Sequence, residues 1–302
     1  MARPNRKQHK IPRTYLEGFT NSKGLVWVAD RKFNLYPQKP NNILTESDYY
    51  TVRFESGGGT LDIETKFLGG IEASYAEIYR DKIKKKEKIS LKIKARLSIF
   101  IASMMERQSI KRKSMVKMFA DVKEKVRHLE MIPVEKRKNF PVLSSGPSIS
   151  AHDFLKMGED VGSLHSSMMP DTVTDIAPII YSMKWLFISR PSDSYPFITS
   201  DNPCILVDPV AEAKFGKGTM GALAGFAYTD TELTLPLSSD LALMCRWEAT
   251  MDCVYGELGA EMVQEINRRS IRHAEIIIGS DKDMLEKIIR NVKTKQAENI
   301  IK

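Results

Sequence analysis

Five polar side chains in this sequence have the chemistry that hydrolytic active sites use. They are His9, Glu64, Glu72, Asp201 and Asn202. An imidazole titrates near neutral pH, so His9 could move a proton or bind a metal ion. Carboxylates act as general acids and bases, and their oxygens are ligands that Mg²⁺ and Mn²⁺ accept. These five residues are therefore the candidate catalytic residues, and Glu72 and Asp201 are the candidate ligands of Mg²⁺ or Mn²⁺.

All five candidates also have a structural interpretation, which the sequence leaves open. Glu64 and Glu72 could be solvated or salt-bridged acids beside the basic block at 82–138. His9 could hydrogen-bond the N-terminal segment to the rest of the fold instead of handling protons. Asp201 and Asn202 precede a proline, and in such turns Asx side chains bond their own backbone. Against this, the end of a buried strand is a common place for a metal-binding carboxylate.

The spacing of the two glutamates limits what they can do together. On a regular α-helix, Glu64 and Glu72 differ by roughly 80° around the axis and by about 12 Å along it. They can border one cavity, but they cannot bind one ion unless the helix breaks at Gly69-Gly70. Arg107 ends the most apolar predicted helix, and it either pairs with one of these glutamates or meets a phosphate.

Positive charge is concentrated in one part of the chain. Between residues 82 and 138 there are 19 Lys and Arg against 6 Asp and Glu, whereas the whole chain carries only +8, so the remainder is net acidic. A basic block on an acidic body is typical of a protein that binds a polyanion, and it predicts a nucleic-acid partner, RNA or DNA. A solvated helix face is the alternative interpretation. The predicted contacts are Lys84, Lys85, Lys86, Arg107, Lys111, Arg112 and Lys113.

Composition excludes several classes of protein. The 302 residues are 42% hydrophobic and 28% charged, unlike a collagen, a disulfide scaffold or a mostly disordered chain. No apolar run reaches the ~20 residues that span a bilayer, and the basic N-terminus lacks the apolar core of a secretory signal. Three cysteines without CxxC spacing are typical of reduced thiols, so we expect a cytoplasmic protein without a membrane partner. P-loop, HExxH and GxGxxG motifs are absent from the sequence.

Hydrophobic periodicity predicts an α+β fold, with a mostly antiparallel sheet built from the N- and C-terminal parts and a central helical block. We expect a single domain over 1–302, a basic helical subdomain within it at 60–135, and a long irregular connection at 139–173 that holds one short helix near 152–157. The predicted strands are 25–29, 34–39, 48–52, 185–189, 197–200, 204–207, 232–237, 241–245 and 275–279. The predicted helices include 114–129, 257–272 and two that are capped by Ser90 and Asp281.

Five short pieces stand out in order along the chain. They are QHKIPRTYLEGF at 8–19, DYY at 48–50, two Ile-Glu pairs at 63–64 and 71–72, TSDNP at 199–203 and LPLS at 235–238. Together they resemble a mainly bacterial, uncharacterised family, domain of unknown function 4238, which opens with the pattern Gln-His-x-Ile/Val-Pro-x-x-Tyr-Leu-x-x-Phe. The resemblance implies that the five candidate catalytic residues belong to one constellation. It implies no particular reaction.

The hypothesis that combines these features is a metal-dependent nuclease. Acidic side chains would hold the ion, His9 would handle a proton, and the basic block would attract a phosphodiester backbone. Such an enzyme would act as a bacterial toxin or an anti-phage effector. Two alternatives stay open: a non-enzymatic protein that binds nucleic acid or the ribosome, and a protein-interaction module.

Overall fold

A computed structural model describes residues 7–130, 151–216, 224–272 and 274–300. The α+β class predicted from the sequence is confirmed, since the described part of the chain is 51% helical and 19% strand with mostly antiparallel pairing. The strands are β1 (Lys7–His9), β2 (Val26–Ala29), β3 (Leu35–Gln38), β4 (Thr45–Ser47), β5 (Val52–Arg53), β6 (Gly59–Thr60), β7 (Lys184–Ser189), β8 (Thr199–Ser200), β9 (Ile205–Val207), β10 (Glu232–Pro236), β11 (Leu241–Arg246), β12 (Val254–Glu257) and β13 (Ile277–Gly279).

The helices form the second half of the architecture. They are α1 (Arg13–Leu16), α2 (Gly69–Ile78), α3 (Leu91–Glu106), α4 (Ser109–Glu130), α5 (Ala151–Met157), α6 (Val161–Ser182), α7 (Pro209–Phe215), α8 (Ala260–Arg272) and α9 (Lys282–Ile300). Two π-helical segments, Ile63–Leu68 and Tyr79–Ile83, extend α2 at its two ends. Among the described residues, no helix is long and apolar enough to cross a membrane.

The strands form four sheets rather than the one sheet that we expected. The largest has the order β12-β7-β11-β10-β9 and comes entirely from the C-terminal part; its β12–β7 pair is parallel. A second sheet, β3-β2-β13-β8, does join N- and C-terminal strands. Short pairs β1–β4 and β5–β6 complete the set. The expectation of one sheet is corrected because the N-terminal strand β2 pairs with β13 in this second sheet and not with a described strand of the large sheet.

The core lies where the central helices meet the large sheet. Helix α3 packs along α6, and the ring of Phe100 stacks on Tyr75 of α2 with centroids 3.8 Å apart. The predicted caps are confirmed: the Ser90 side chain accepts from the Ile93 amide, and Asp281 accepts from the Met284 amide. All three cysteines are free.

Two sequence predictions of secondary structure are wrong. The short helix expected near 152–157 is present as α5, but residues 161–182 form a further long helix where the irregular connection was predicted; residues 139–150 lie outside the described ranges. Pro170 and Pro178 lie inside α6 and masked its pattern, yet burial against α3 outweighs their low helix propensity. The strand predicted at 48–52 is a turn followed by β5.

A close approach between the 3-10 turn that follows α1 (Glu17–Phe19) and the β10–β11 turn gives a stability test. The amide of Ser239 donates to the carbonyl oxygen of Gly18, and a Cβ on Gly18 would lie 2.5 Å from the carbonyl oxygen of Leu237. We expect Gly18→Ala to lower the free energy of unfolding by about 1–3 kcal/mol because backbone must move. Gly70→Ala, where a Cβ meets open space within α2, should raise it by about 0.5–1 kcal/mol. Urea unfolding of both variants measures this, and equal effects would contradict the packing described.

Candidate functional site

A buried guanidinium organises the N-terminal segment. Arg107 follows α3 and has 0% exposure. Its Nη1 donates to Glu72 Oε1 at 2.6 Å and its Nη2 to the His9 carbonyl oxygen at 2.5 Å. Its Nε donates to the Lys10 carbonyl oxygen at 3.1 Å and to the Tyr50 hydroxyl at 3.0 Å. The sequence left open whether Arg107 pairs with a glutamate or a phosphate, and it pairs with Glu72.

Strand β1 adds a second restraint on the same segment. Gln8 is 1% exposed, and its Oε1 accepts from the Tyr50 amide at 2.6 Å. Backbone pairing with β4 sets Gln8 opposite Glu46 and His9 opposite Thr45. Gln8 and Tyr50 are not among the site residues predicted from the sequence, although both lie in pieces that carry the family resemblance. The backbone of His9 is therefore held in two ways, by Arg107 and by the pairing of β1 with β4.

The π-helical segment changes the relation between the two glutamates. The amide of Gly69 donates to the carbonyl oxygen of Glu64, five residues earlier. Such a turn holds more residues than an α-helical turn, so each residue rotates the chain by less than 100°. Several residues between Glu64 and Glu72 are π-helical. The angle between these two side chains around the helix axis is therefore much smaller than the roughly 80° expected for a regular helix. Both carboxylates consequently interact with Arg107 without a break in the helix.

The imidazole of His9 is half-buried and carries one unpaired nitrogen. Burial is the main reason that the pKa of His9 lies below its ordinary value; Arg107 lowers it further, and Glu72 opposes the shift. The backbone of Pro40 also opposes the fall in the pKa of His9. Nε2 of the ring is buried and has no hydrogen-bond partner among the described residues.

The pKa of Glu64 is displaced in the opposite direction, above its ordinary value. Burial raises the pKa of Glu64 to about 7, the negative charge of Glu72 adds to the shift, and Arg107 opposes it. Oε2 of Glu64 is buried and has no hydrogen-bond partner in the described part of the chain. By contrast, the Glu72 side chain is 24% exposed and is held as the partner of Arg107. Near neutral pH the cluster thus contains a neutral imidazole and a carboxyl that still carries a proton in part of the molecules.

Asp201 and Asn202 are bonded to other parts of the chain. Oδ1 of Asp201 accepts from the amides of Glu275 and Ile276 at 2.9 and 3.2 Å, which ties β8 to the start of β13. Burial raises the pKa of Asp201, and its charged neighbours include Lys113. Oδ1 of Asn202 accepts from the backbone amide of Ile110, in the first turn of α4. The predicted constellation therefore divides: His9 and the two glutamates lie around Arg107, whereas Asp201 joins β8 to the start of β13 and Asn202 bonds α4.

The two predicted metal ligands, Glu72 and Asp201, also bond different parts of the chain. Glu72 bonds Arg107, and Asp201 bonds backbone amides. Among the described residues, no group of three or more His, Cys, Asp or Glu side chains could hold a metal ion. The binding of Mg²⁺ or Mn²⁺ by these two carboxylates stays a prediction of the sequence.

The seven predicted nucleic-acid contacts differ in exposure. Lys84, Lys85 and Lys86 are exposed on the turn after the second π-helical segment. Lys113 is exposed but pairs with Glu275, and Lys111 pairs with Glu106 at 3.3 Å.

Two of the seven contacts are corrected. Arg107 has no exposed surface. The Arg112 guanidinium lies 3.5 Å from the centre of the Tyr49 ring and donates to the Tyr49 carbonyl oxygen and to Ser166. Arg107 therefore holds elements together inside the protein, and Nη2 of Arg112 is used in the same way.

A family model described as a protein of unknown function, DUF4238, matches residues 7–283. The chain belongs to the DUF4238 family. The pieces that carried the resemblance meet in the fold: the Tyr15 hydroxyl donates to the Pro236 carbonyl oxygen and bonds the Thr199 hydroxyl, both at 2.7 Å. This DUF4238 chain matches no curated protein and no solved structure in the comparisons made. Family membership therefore identifies the chain without naming a reaction.

The displaced pKa of Glu64 predicts a pH-dependent stability. A glutamate in an unfolded chain loses its proton near pH 4.3, whereas Glu64 in the fold keeps it up to about pH 7. Stability should therefore fall as pH rises through this window, because the folded state binds more protons. We expect Glu64→Gln to remove that loss and to be more stable than the wild type at pH 8, by on the order of 1–2 kcal/mol after solvent screening.

Urea unfolding at pH 4.5, 6 and 8 measures this difference. Glu261→Gln, which changes an exposed carboxylate on α8, is the matched control and should follow the wild type at each pH. A constant difference between Glu64→Gln and the wild type across the range would show that the Glu64 carboxyl titrates normally.

Proposed function

We propose that this protein is a nucleic-acid-directed phosphodiesterase that works by acid–base catalysis at the cluster around Arg107. One observation carries the proposal. His9 and Glu64 each have a buried, unpartnered polar atom, and their pKa values are displaced in opposite directions beside the same guanidinium. Pairs of titratable groups whose environments separate their pKa values are typical of acid–base active sites.

The surroundings of the pair support hydrolytic chemistry. Burial excludes water from both atoms, and in such surroundings each charge acts over a lower effective dielectric constant. The ion pair of Arg107 with Glu72 fixes helix α2 and the backbone of His9 relative to each other. Catalytic groups must be held in place by contacts of this kind, since small displacements reduce rates strongly.

The nucleic-acid partner is supported by the charge of α4 and of the turn before α3. Residues 109–128 contain seven Lys and Arg against two Asp and Glu. Among the described side chains of this helix from 110 to 128, only Phe119 is buried, against Phe154. Lys84, Lys85 and Lys86 are also exposed. Exposed cations of this density attract a phosphate backbone and make binding depend on salt.

A second candidate is non-enzymatic binding of nucleic acid or the ribosome. The contacts of Asp201 and Arg107 favour this candidate. Both side chains bond other parts of the chain, as expected of residues that only hold the fold together. This candidate does not account for the unpaired atoms of His9 and Glu64. The two candidates differ in whether loss of these atoms affects cleavage or only stability.

We expect His9→Asn and Glu64→Gln each to lower kcat/KM for cleavage by about 10²- to 10⁴-fold, the usual contribution of an acid or a base. Asparagine keeps a polar side chain and removes the titratable imidazole, so the first variant tests the loss of that ring. Cleavage of labelled RNA, single-stranded DNA and duplex DNA is measured with chelator and with added Mg²⁺ or Mn²⁺. The metal arms test the ion predicted from the sequence.

Binding and folding are the controls for this assay. Both variants should melt as cooperatively as the wild type and should bind nucleic acid with the same steep loss of affinity as salt rises. Glu261→Gln should cleave at the wild-type rate. Salt-dependent binding by a wild type that cleaves none of the three substrates would favour the non-enzymatic candidate. Cleavage of phage or cellular nucleic acid would support the toxin or anti-phage role.

A further inference from the structure

We propose that the cleft between α2 and the β10–β11 turn binds a single strand of nucleic acid. The phosphates of the strand lie along Lys84 and Lys86, and its bases face Asp193 and Glu257. This inference rests on the proposed function and names the surface that holds its nucleic-acid partner. It is carried by an open cavity, by the charges that two sets of elements bring to it, and by the side chains that are unpaired there.

The cleft is larger than a site for a small molecule. Its volume is about 1210 Å³, whereas small-molecule sites usually measure roughly 300–1,000 Å³. Its helical side comes from α1, α2 and the turns that follow them, and includes Thr14, Glu17 and Gly18. Its sheet side comes from the ends of β7 and β12 and from the β10–β11 turn. A cleft of this size suits a segment of a polymer.

The helical side carries exposed positive charge. Arg80, Lys84 and Lys86 line the cleft, and all three are exposed. Arg80 pairs with Asp81, whereas Lys84 and Lys86 form no ion pair with any described residue. The turn that holds them is tied to the helix before it, since the Lys84 amide donates to the Tyr79 carbonyl oxygen at 2.8 Å. Two ammonium groups are therefore available to phosphates.

The sheet side carries exposed negative charge. Asp193 and Glu257 line the cleft, are exposed, and form no ion pair with any described residue. Asp240 lines it as well but is neutralised by Arg190 at 2.9 Å. On the helical side, the carboxylate of Glu17 is likewise paired, with Arg13 at 3.4 Å. The unpaired charges of the cleft are thus two cations from the helical side and two carboxylates from the sheet side.

This arrangement suits a strand whose bases are exposed. The backbone of such a strand meets the lysines, and bases that carry an exocyclic amino group, such as cytosine, donate to carboxylates. A duplex has its base edges already paired and carries phosphates on both strands. The carboxylates of the sheet side would repel the second of those backbones. The charges therefore favour a single strand over a duplex.

The rest of the lining favours nucleic acid over a peptide. Peptide grooves commonly anchor apolar side chains in apolar pockets. The large aliphatic side chains that line this cleft, Ile83 and Leu241, are only 1% and 6% exposed and offer little such surface. Hydroxyl groups bond phosphate and sugar oxygens. The cleft is lined by six residues that carry them: Thr14, Thr20, Ser189, Ser192, Ser238 and Ser239.

The phosphate test measures binding of labelled oligo-dC, oligo-dT and a DNA duplex, each of about ten nucleotides, by fluorescence anisotropy with chelator at several salt concentrations. Lys84→Ala/Lys86→Ala should weaken the binding of oligo-dC by about tenfold or more. It should also reduce the slope of log K against log salt by roughly 1.4, since each phosphate contact of a single strand contributes about 0.7. Lys23→Ala/Lys92→Ala removes two exposed lysines outside the cleft and should bind as the wild type does.

The base test uses Asp193→Ala/Glu257→Ala. The wild type should bind oligo-dC about fivefold or more tightly than oligo-dT, because thymine has no amino group to donate. The variant should lose this preference and should bind the duplex more tightly than the wild type does, because the repelling charges are gone. All the substituted side chains are exposed, so each variant should melt at the wild-type temperature.

The contrary outcomes are distinct. Binding of oligo-dC by the Lys84/Lys86 variant at the wild-type affinity would overturn the cleft as the binding surface and leave α4 as the nucleic-acid contact. An equal loss of duplex binding in that variant would show that the cleft takes a duplex. Equal affinity of the wild type for oligo-dC and oligo-dT would overturn the placement of the bases. A glutamate peptide that binds with the same dependence on the two lysines would identify an acidic protein segment as the occupant. A wild type that binds no nucleic acid would remove the proposed function itself.

Discussion

The guanidinium of Arg107 connects four separate parts of the chain, and the geometry of the candidate site depends on it. It is fully buried, and its hydrogen bonds reach the backbone at His9 and Lys10, the hydroxyl of Tyr50 and the carboxylate of Glu72. A buried charge without such partners would cost several kcal/mol, so each partner is under constraint to stay in place. Burial works against the charge, yet Tyr50 and Glu72 outweigh it and raise the pKa of Arg107.

Two hydrogen bonds between uncharged groups fix the N-terminal segment at its other end, Tyr15. Tyr15 bonds Thr199 and Pro236 deep in the core, six residues after the His9 backbone that Arg107 holds. Residues from three sheets and two helices are thus joined through a stretch that begins at Gln8. The consequence is local: the His9 imidazole and the Glu64 carboxyl are kept beside Arg107 in positions where burial displaces both pKa values.

Much of the fold could be predicted from local pattern, whereas the site depended on tertiary geometry. The β10–β11 hairpin, the cap at Ser90 and the final helix follow from alternation and capping residues, and all are present. Helix α6 was missed because Pro170 interrupts its pattern while packing against α3 stabilises it. The π-helical segment that aligns Glu64 with Glu72 leaves only a weak signal, the Gly69-Gly70 pair. Nothing in the sequence shows that Asp201 bonds strand amides instead of joining His9.

The most direct test of the central claim is an NMR titration of the carboxyl of Glu64 and the ring of His9 in the intact protein. We predict that the Glu64 carboxyl titrates near pH 7 and that the His9 ring titrates below its ordinary value of about 6.5. Glu72→Gln should lower the pKa of Glu64 by removing a neighbouring negative charge. A Glu64 carboxyl that titrates near 4.3, with His9 above 6.5, would contradict the account.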